Sequence, residues 1–495
     1  MKSIAKIATA AIATLILAGP AFAGPDDNSI NVGMVLEPPN LDPTDGAAAA
    51  TDEVTYANVF QGLTRFAESG AIVPDLAKSW DISRDGTTYT FHLQSGVTFQ
   101  DGTKMTADDV KFSLERALAP NSTNAQKALF EDIKDVTVVD PTTVKVTLKQ
   151  PDGSFLFDMA WGDAEIVSPK TAKGNDTHPV GTGPFMFKEW VKGDHVTLVR
   201  NPHYWGTPAK VDKITFKFIS DPTAAFAAMM SGDLDLFPNF PAPENLAQFK
   251  ADPRFKVIVG STEGETIVAM NNGKKPFDNL KVREAVAHAI DRKAVIDGAM
   301  YGYGTPIGSH FAPQNPAYID LTGMSKYDPA LSKKLLAEAG YPNGFKTTLK
   351  LPPPAYARRG GEIVAAELRK VGIDARIINV EWAQWLQGVF KNKDYDLTIV
   401  SHTEPMDIGI YARDDYYFNY HSAAFKKIMA DLKKTTDPKK RTELLQDAQK
   451  QIAKDCVNAF MFELPKLGVA NANLMGVWKN EPTQANDMTA AYWKK

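Results

Sequence analysis

Apolar and polar residues alternate along several short stretches of the chain, which is the pattern of a β-strand that buries one face. Tyr89, Phe91 and Leu93 alternate with polar residues, and the turn pairs Asp85-Gly86 and Asp101-Gly102 stand on either side. Similar stretches occur at 144–148, 196–198, 214–218, 347–351, 373–380 and 396–400. We therefore predict strands in both halves of the chain.

Apolar residues at helical spacing separate these strands. Thr106 is placed to cap a helix, and Asp108 and Asp109 suit the positive end of its dipole. Further helices are predicted at 221–232, 282–290, 329–339, 362–371 and 437–454. Strands and helices mix without a run of equal βαβ units, so the pattern predicts mixed α/β lobes rather than a barrel.

The first residues have the pattern of an export signal. Lys2 and Lys6 precede an apolar run over 7–18, and Ala21-Phe22-Ala23 forms an Ala-x-Ala end. The run is shorter than the roughly 20 residues that span a bilayer. We predict a signal peptide over 1–23, cleaved after Ala23, rather than a short buried helix. The mature protein is then expected in the periplasm.

Composition and charge exclude several classes of function. The chain has 495 residues, 44% hydrophobic and 23% charged, which is typical of a soluble globular protein with about three domains or two large lobes. Without Lys2 and Lys6, 53 basic residues stand against 59 acidic ones, so the basic excess of a nucleic-acid-binding protein is missing. The single cysteine, Cys456, cannot form an internal disulfide or a Cys-rich metal site, and we interpret it as a buried thiol.

Signatures of catalysis are missing from the sequence. There is no G-x-S-x-G or H-E-x-x-H motif, and S-x-x-K occurs only at 3–6, inside the predicted signal. The glycine-rich stretch 180–184 lacks a Gly-Lys-Ser/Thr ending and is interpreted as a turn. We predict a binding protein rather than an enzyme, with no catalytic residue, no cofactor and no metal site.

Family-like motifs follow one another in order from about Leu41 to about Val477. They lie at 75–80, 85–93, 97–102, 106–113, 181–185, 200–206, 276–277, 282–286 and 289–292, together with Trp190 and Asn271. In order and spacing they resemble the bacterial extracellular solute-binding proteins of family 5, the dipeptide, oligopeptide and nickel type. Most of these motifs look structural, so the resemblance indicates the family and not the ligand.

The resemblance implies a two-lobed periplasmic-binding-protein fold of the α/β class, with mixed sheets and hinge strands. We expect the first lobe at 24–270 and 466–495, with an extra subdomain at about 71–200, and the second lobe at 271–465. Ligand is expected to bind in the interlobe cleft and to be enclosed by hinge closure. The closed form, a monomer, is then expected to deliver it to ABC permease subunits in the inner membrane.

The resemblance also indicates where ligand contacts fall in this chain. Relatives use the segment after the strand that ends at Val400, the region of 381–382, and the first-lobe segment after 41–43. The candidate ligand-binding residues are His402, Thr403, Glu404, Asp407, Trp382, Trp385, Arg358 and Glu37. His402 is the foremost candidate, against the alternative of a polar loop histidine. For Trp382 and Trp385 packing is an equal alternative, and Arg358 has solvent exposure as its alternative.

Two departures from the family pattern bear on the ligand. Dipeptide-binding relatives hold the ammonium group with an Asp in the post-strand segment, and here Glu404 or Asp407 would substitute for it. They hold the carboxylate with an Arg where this chain has 351–354, which is Leu-Pro-Pro-Pro. A plain dipeptide therefore fits less well than a longer or modified peptide, an opine-like conjugate or an oligosaccharide.

Other ligands and roles stay open in the sequence. The aromatic residues Tyr411 and 416–418 are available to stack on sugar rings, or they form a packed loop. A nickel chelate has only His402 in its favour. The same scaffold acting as a sensor or chaperone is the alternative to an importer.

Overall fold

The computed structural model describes residues 28–46, 48–404 and 406–494. The predicted signal peptide and its cleavage site lie outside the described residues. Three sheets, of seven, six and four strands, organise the described part of the chain, with two small two-stranded sheets beside them. Within that part, no helix is long and apolar enough to cross a membrane.

The seven-stranded sheet is the centre of the first lobe. Its strand Ser29–Met34 runs parallel to Lys213–Phe218, which pairs antiparallel with His195–Arg200. Ile30, Val32, Val196, Leu198, Ile214 and Phe216 are fully buried, as the alternation predicts. In spatial order the strands are Phe255–Gly260, Lys466–Asn471, Leu236–Phe237, Ser29–Met34, Lys213–Phe218, His195–Arg200 and Phe185–Val191.

A separate four-stranded antiparallel sheet forms the extra subdomain of the first lobe. Its strands, in spatial order, are Ala77–Ile82, Thr88–Leu93, Thr143–Leu148 and Ile133–Asp140. The helix Ala107–Leu118 packs against it, and its Thr106 and Asp109 form the capping box. The expected span of about 71–200 runs past this sheet, because 185–191 and 195–200 pair within the seven-stranded sheet.

The six-stranded sheet is the centre of the second lobe. In spatial order its strands are Thr305–Pro306, Asn458–Glu463, Glu265–Met270, Leu397–His402, Phe345–Leu351 and Ile373–Asn379.

The α-helices of the described residues, in chain order, span Ala49–Thr55, Ala107–Leu118, Phe155–Asp158, Pro222–Ser231, Leu246–Ala251, Leu280–Ala289, Arg292–Met300, Pro329–Glu338, Ala355–Lys370, Trp382–Trp385, Ala423–Lys434 and Pro438–Lys454.

The chain crosses between the two large sheets at two places. One crossing leads from Gly260 to Glu265 and the other from Glu463 to Lys466. They lie side by side, because the backbone N–H of Thr262 donates to Glu463 Oε1 at 3.0 Å. The strand Glu265–Met270 belongs to the six-stranded sheet, so the change of sheet falls at 261–264 and not at the expected residue 270.

The helix Ala355–Lys370 begins earlier than the predicted start at residue 362. Gly360 and Gly361 suggest a break in the sequence, but in the structure they sit inside the helix. A Cβ atom at Gly361 would lie 2.4 Å from Leu351 Cδ1. The glycine therefore permits close contact between this helix and the strand Phe345–Leu351, and Arg358 lies on the helix.

Candidate functional site

Two strand ends meet where the second lobe joins the hinge. The strands Glu265–Met270 and Leu397–His402 run antiparallel, and their register places Glu265 opposite His402. Glu463, the last residue of its strand, pairs with Glu265 on the other side. Because each of these residues ends or begins its strand, their polar side chains collect at one edge of the sheet, next to the two crossings.

A buried histidine lies between two carboxylates at this edge. His310 Nδ1 is 2.8 Å from Glu265 Oε1, and His310 Nε2 is 2.8 Å from Asp407 Oδ1. The side chains of His310 and Glu265 are 2% and 1% exposed, while Asp407 is 13% exposed and reaches toward the surface. We refer to these residues as the Glu265–His310–Asp407 triad.

The carboxylates decide the charge of His310. Burial favours the neutral imidazole, but the charges of Glu265 and Asp407 outweigh it and raise the pKa of His310 to about 10. Burial raises the pKa of Glu265, and the imidazolium opposes that rise. The protons of the triad are therefore coupled, and His310 is cationic at neutral pH.

His402 has the opposite charge state. Its Nε2 lies 2.9 Å from the Tyr417 hydroxyl, and its Nδ1 lies 3.9 Å from Glu404 Oε2. Burial lowers the pKa of His402, and the charges of Asp407 and Glu404 oppose this shift. The imidazole is therefore neutral at pH 7, and it presents a hydrogen-bonding nitrogen on the side of Glu404.

The segment after His402 touches the first lobe. Gln484, from the returning C-terminal part of the chain, donates from Nε2 to Thr403 Oγ1 at 2.6 Å. Thr403 also donates its backbone N–H to Glu404 Oε2 at 3.1 Å. Glu404 is 43% exposed, so its carboxylate is accessible at the junction of the lobes.

A left-handed residue turns the chain back toward the triad. Met406 has a φ of 57°, an uncommon value for a residue other than glycine, and the 3-10 helix Asp407–Ala412 follows it. Met406 Sδ lies 3.1 Å from Asn315 Nδ2, which connects this turn to the loop that carries His310. The turn and this contact together bring Asp407 to the imidazole.

The two candidate tryptophans differ in environment. Trp385 is buried, donates from Nε1 to Thr398 Oγ1 at 2.9 Å and packs edge-on against Trp382 at 5.6 Å between ring centroids. Trp382 is partly exposed, and Phe390, which stacks on Trp385, is exposed. The contacts of Trp385 are those of a packing residue, while Trp382 and Phe390 offer aromatic surface.

The aromatic residues after the 3-10 helix form a packed loop. Tyr411, Tyr417 and Phe418 are almost fully buried and contact one another. Tyr416 is partly buried and lies between Phe390, at 5.6 Å between ring centroids, and His402, at 6.1 Å. Tyr417 likewise lies 5.6 Å from Phe390 and 5.9 Å from His402 between ring centroids, so Tyr416 and Tyr417 both join the aromatic surface to the polar cluster.

Arg358 and Glu37 have protein partners of their own. Arg358 donates from Nη2 to Glu381 Oε1 at 3.0 Å, which holds it beside Trp382. Glu37 Oε1 accepts from Trp190 Nε1 and from the backbone N–H of Gly193, both at 3.0 Å, within the first lobe. Among the described contacts none joins Glu37 to the other candidates, whereas His402, Thr403, Glu404 and Asp407 form one cluster.

Sequence reasoning missed Glu265, His310 and Gln484. Glu265 starts a strand whose six residues are all buried, so no alternation marks it. His310 lies in a loop without periodicity, and Gln484 lies more than 80 residues from its partner Thr403. A charged residue at the start of an otherwise apolar strand, as in Glu265–Met270, was the one available signal.

Metal ligation is possible in principle for two overlapping groups. The donor atoms of Glu265, His310 and Asp407, and those of His402, Glu404 and Asp407, lie within 4.8 Å of one another. The 2.8 Å distances on both sides of His310 are those of close ion pairs between the ring and the two carboxylates. Both nitrogens of His310 are thus used by protein carboxylates, and the geometry is that of an ion cluster.

Two lobes joined by paired crossings, with an accessible polar cluster between them, define a two-lobed solute-binding protein. The chain matches the family model for bacterial extracellular solute-binding proteins, family 5 Middle, over residues 71–427. The chain belongs to this family, and the predicted family, fold class and binding role are confirmed at this level.

Three relatives illustrate the range of the family. The chain is 34% identical over 361 residues to heme-binding protein A of Haemophilus influenzae, across 66% of this chain and 65% of that protein. It is 32% identical over 496 residues to the glutathione-binding protein GsiB of Salmonella typhi, across 95% of each. The Helicobacter pylori ABC transporter-associated periplasmic binding protein DppA, in complex with peptide STSA, shares its fold with a TM-score of 0.84 and 26% identity, across 94% of this chain and 98% of that one.

Proposed function

We propose that this chain is the periplasmic substrate-binding component of an ABC importer and that its ligand is a peptide-like solute with a free ammonium group. Relatives described as binding glutathione and the peptide STSA support this class of ligand. The observation that carries the proposal is the acidic cluster beside Thr403, at the contact with Gln484 of the first lobe. The ligand is bound between the lobes and delivered to permease subunits of the inner membrane.

The charges of the cluster favour a cationic group. Glu404 is accessible, Asp407 is partly exposed, and Glu265 stands behind them. His310 contributes one positive charge, and the neutral His402 contributes none. Glu404 therefore takes the role that an Asp has in dipeptide-binding relatives, and Asp407 adds a second negative charge.

An aromatic surface of the protein is available for the part of the ligand beyond its ammonium group. Trp382, Phe390 and Tyr416 lie on one side of the cluster, with Tyr416 next to His402. Arg358 is paired with Glu381, so we assign it to holding the start of the helix at Trp382 rather than to a ligand carboxylate. A ligand with an apolar side chain next to its ammonium group matches this arrangement.

Thermal shift and calorimetry on the mature protein, refolded from denaturant to remove any bound solute, test the proposal. The probes are the peptide Ser-Thr-Ser-Ala, its N-acetylated form, glutathione, oligosaccharides, an opine and nickel–histidine. Binding to the native state at 100-fold excess over Kd adds about 2.7 kcal/mol of stability. We expect the free-amine peptides to raise the Tm and the acetylated form to do so much less.

A matched pair of variants locates the ammonium group. Glu404→Gln is expected to lower the affinity for a free-amine peptide about tenfold or more, because a charge-assisted hydrogen bond is lost. Asp414→Asn, an exposed acid of the same lobe, is the control and is expected to bind like the wild type. Stabilisation by oligosaccharides or by the opine alone would contradict the peptide assignment. Growth on the ligand that survives deletion of the gene would favour a sensor or chaperone.

A further inference from the structure

We propose that His310 is a positioning residue for ligand binding: through an ion pair it holds the Asp407 carboxylate at the ligand site. The inference rests on the proposed function, in which Asp407 contributes to an anionic site for a cationic group. His310 itself is buried and touches no ligand. It acts through Asp407.

Three separate parts of the chain meet in the triad. Glu265 starts a strand of the six-stranded sheet, His310 lies in the loop after Thr305–Pro306, and Asp407 starts a 3-10 helix. Among the described contacts, His310 is the side chain that pairs with the Asp407 carboxylate. Glu265 is held in place by the sheet. The imidazole pairs with both carboxylates, so it fixes Asp407 relative to the sheet.

The two close contacts of His310 favour the imidazolium form. Each ring nitrogen of His310 faces a carboxylate oxygen at 2.8 Å, and only the protonated ring has an N–H on both nitrogens. A neutral ring would leave one nitrogen lone pair against a carboxylate, which is repulsive. The ring charge therefore lies between two carboxylates that would otherwise repel each other in a buried site.

The groups around His310 decide how binding responds to pH. They are Glu265 on the strand, Asp407 and Tyr411 on the 3-10 helix, Glu263 on the hinge crossing, and His402 and Glu404 on the post-strand segment. With His310 cationic, the site keeps its negative charge across the neutral range. Without it, burial and the charge of Asp407 raise the pKa of Glu265 unopposed, and the site loses the negative charge of Glu265 as the pH falls.

The first experiment needs no ligand. In protein labelled with ¹⁵N-histidine, the signals lost in His310→Gln identify the ring of His310. We expect both of its nitrogens to stay protonated from about pH 6 to about pH 9. Glu265→Gln is expected to lower its titration midpoint while keeping the fold. A ring that titrates near the ordinary value of about 6.5 in the wild type would overturn the inference, whether or not any peptide binds.

The second experiment measures affinity against pH with Ser-Thr-Ser-Ala as the probe. The α-ammonium group of the peptide itself loses its proton at about pH 8, so each variant is compared with the wild type at the same pH. Relative to the wild type, His310→Gln is expected to lose about tenfold in affinity at about pH 6 and less at about pH 9. The control His421→Gln, an exposed histidine of the same lobe, should follow the wild type. An equal loss at every pH would show a purely structural role and contradict the inference.

The two proposals fail in different ways. If no free-amine peptide binds the wild type, the proposed function fails, and the labelled-histidine titration still decides the state of His310. If peptides bind but His310→Gln binds with an unchanged pH profile, the proposed function stands and the inference fails. Should His310→Gln not fold, Glu265→Gln supplies the same two measurements. The expected results are a lower imidazole midpoint and, toward high pH, a weaker affinity than that of the wild type at the same pH.

Discussion

His310 and His402 show how neighbours decide the charge of the same residue type within one cluster. Both rings are buried, which by itself favours the neutral form. His310 has a carboxylate at each nitrogen, whereas His402 has a tyrosine hydroxyl at one nitrogen and a carboxylate only at 3.9 Å from the other. One ring is therefore an ion that holds carboxylates, and the other is a neutral hydrogen-bonding group.

The charge of His310 predicts a pH-dependent stability. Its pKa is raised from 6.5 to about 10, so the stabilisation is complete below about pH 6.5 and is lost as the pH rises through about 10. His310→Gln removes it and leaves two buried carboxylates near each other. We expect a loss of about 3–5 kcal/mol near pH 6 and a smaller loss near pH 9.5.

Urea unfolding of the wild type and of His310→Gln at both pH values measures this difference. His421→Gln is the control, since its ring is exposed and pairs with the exposed Asp414. A His310→Gln loss that is the same at both pH values would contradict the assignment of charge.

The single cysteine gives a second prediction at the residue scale. Cys456 is buried, as expected from the sequence, and burial raises the pKa of its thiol to about 12. The thiolate is the reactive form, so the native protein at about pH 8 is expected to react with a disulfide reagent far more slowly than a free thiol. Unfolding in guanidinium should release one thiol per chain. Rapid labelling of the native protein would contradict the burial of Cys456.

At the scale of elements, the packing of one helix depends on a glycine. Gly361→Ala places a Cβ atom 2.4 Å from the buried side chain of Leu351, so either this side chain or the helix Ala355–Lys370 must shift. We expect a loss of about 1–3 kcal/mol in the free energy of unfolding. Gly360→Ala is the matched control in the same helix, because its nearest contact would be an ordinary 3.5 Å.

Chemical denaturation of both variants checks this prediction. Gly360→Ala is expected to be neutral or stabilising by about 0.5–1 kcal/mol, since alanine favours the helix over glycine. Equal stability of the two variants would show that the close contact at Gly361 has no energetic weight.

Elements with local signals could be predicted from the sequence, and elements defined by distant pairing could not. The strand Thr88–Leu93 and the cap at Thr106 follow from alternation and capping chemistry. The strand Glu265–Met270 is buried on both faces, so its sheet is decided by partners more than 100 residues away. The lobe boundary near residue 270 therefore differs from the change of sheet at 261–264.

The candidate site divides in the same way. His402, Glu404 and Asp407 follow one another after a strand, so a resemblance in that segment was enough to select them. His310 reaches Asp407 only through a turn at Met406 and a loop that has no periodic pattern. Contacts of this kind depend on tertiary structure, and no local sequence pattern predicts them.

At the scale of the whole molecule, the two lobes contact each other at points outside the two hinge crossings. Arg441 of the second lobe donates to Ser154 Oγ of the extra subdomain at 2.8 Å, and Lys433 pairs with Asp132 nearby. Arg359 pairs with Glu244 at 3.0 Å, and Gln484 donates to Thr403. In the described structure, polar side chains of one lobe thus pair with polar side chains of the other. Closure around a ligand requires contacts of this kind.

The Gln484–Thr403 contact predicts how firmly a ligand is held. It joins the first lobe to the segment that follows His402, so it exists only while the lobes are together there. Gln484→Ala removes a hydrogen bond worth about 1 kcal/mol from the closed form alone, and we expect Kd to rise about fivefold. Because the bond forms after the ligand has entered, the change is expected in the dissociation rate, with an association rate close to that of the wild type.

Stopped-flow binding of Ser-Thr-Ser-Ala separates these rates, and Gln387→Ala is the control because its side chain is exposed on the second lobe. A ligand shifts the lobes only through contacts that differ between the open and closed forms. If the Gln484–Thr403 bond were equally present in both forms, its loss in Gln484→Ala would leave both rates unchanged. A lower association rate with unchanged dissociation would mean that Gln484 meets the ligand during entry. Slower release in the wild type than in Gln484→Ala therefore identifies this contact as part of closure.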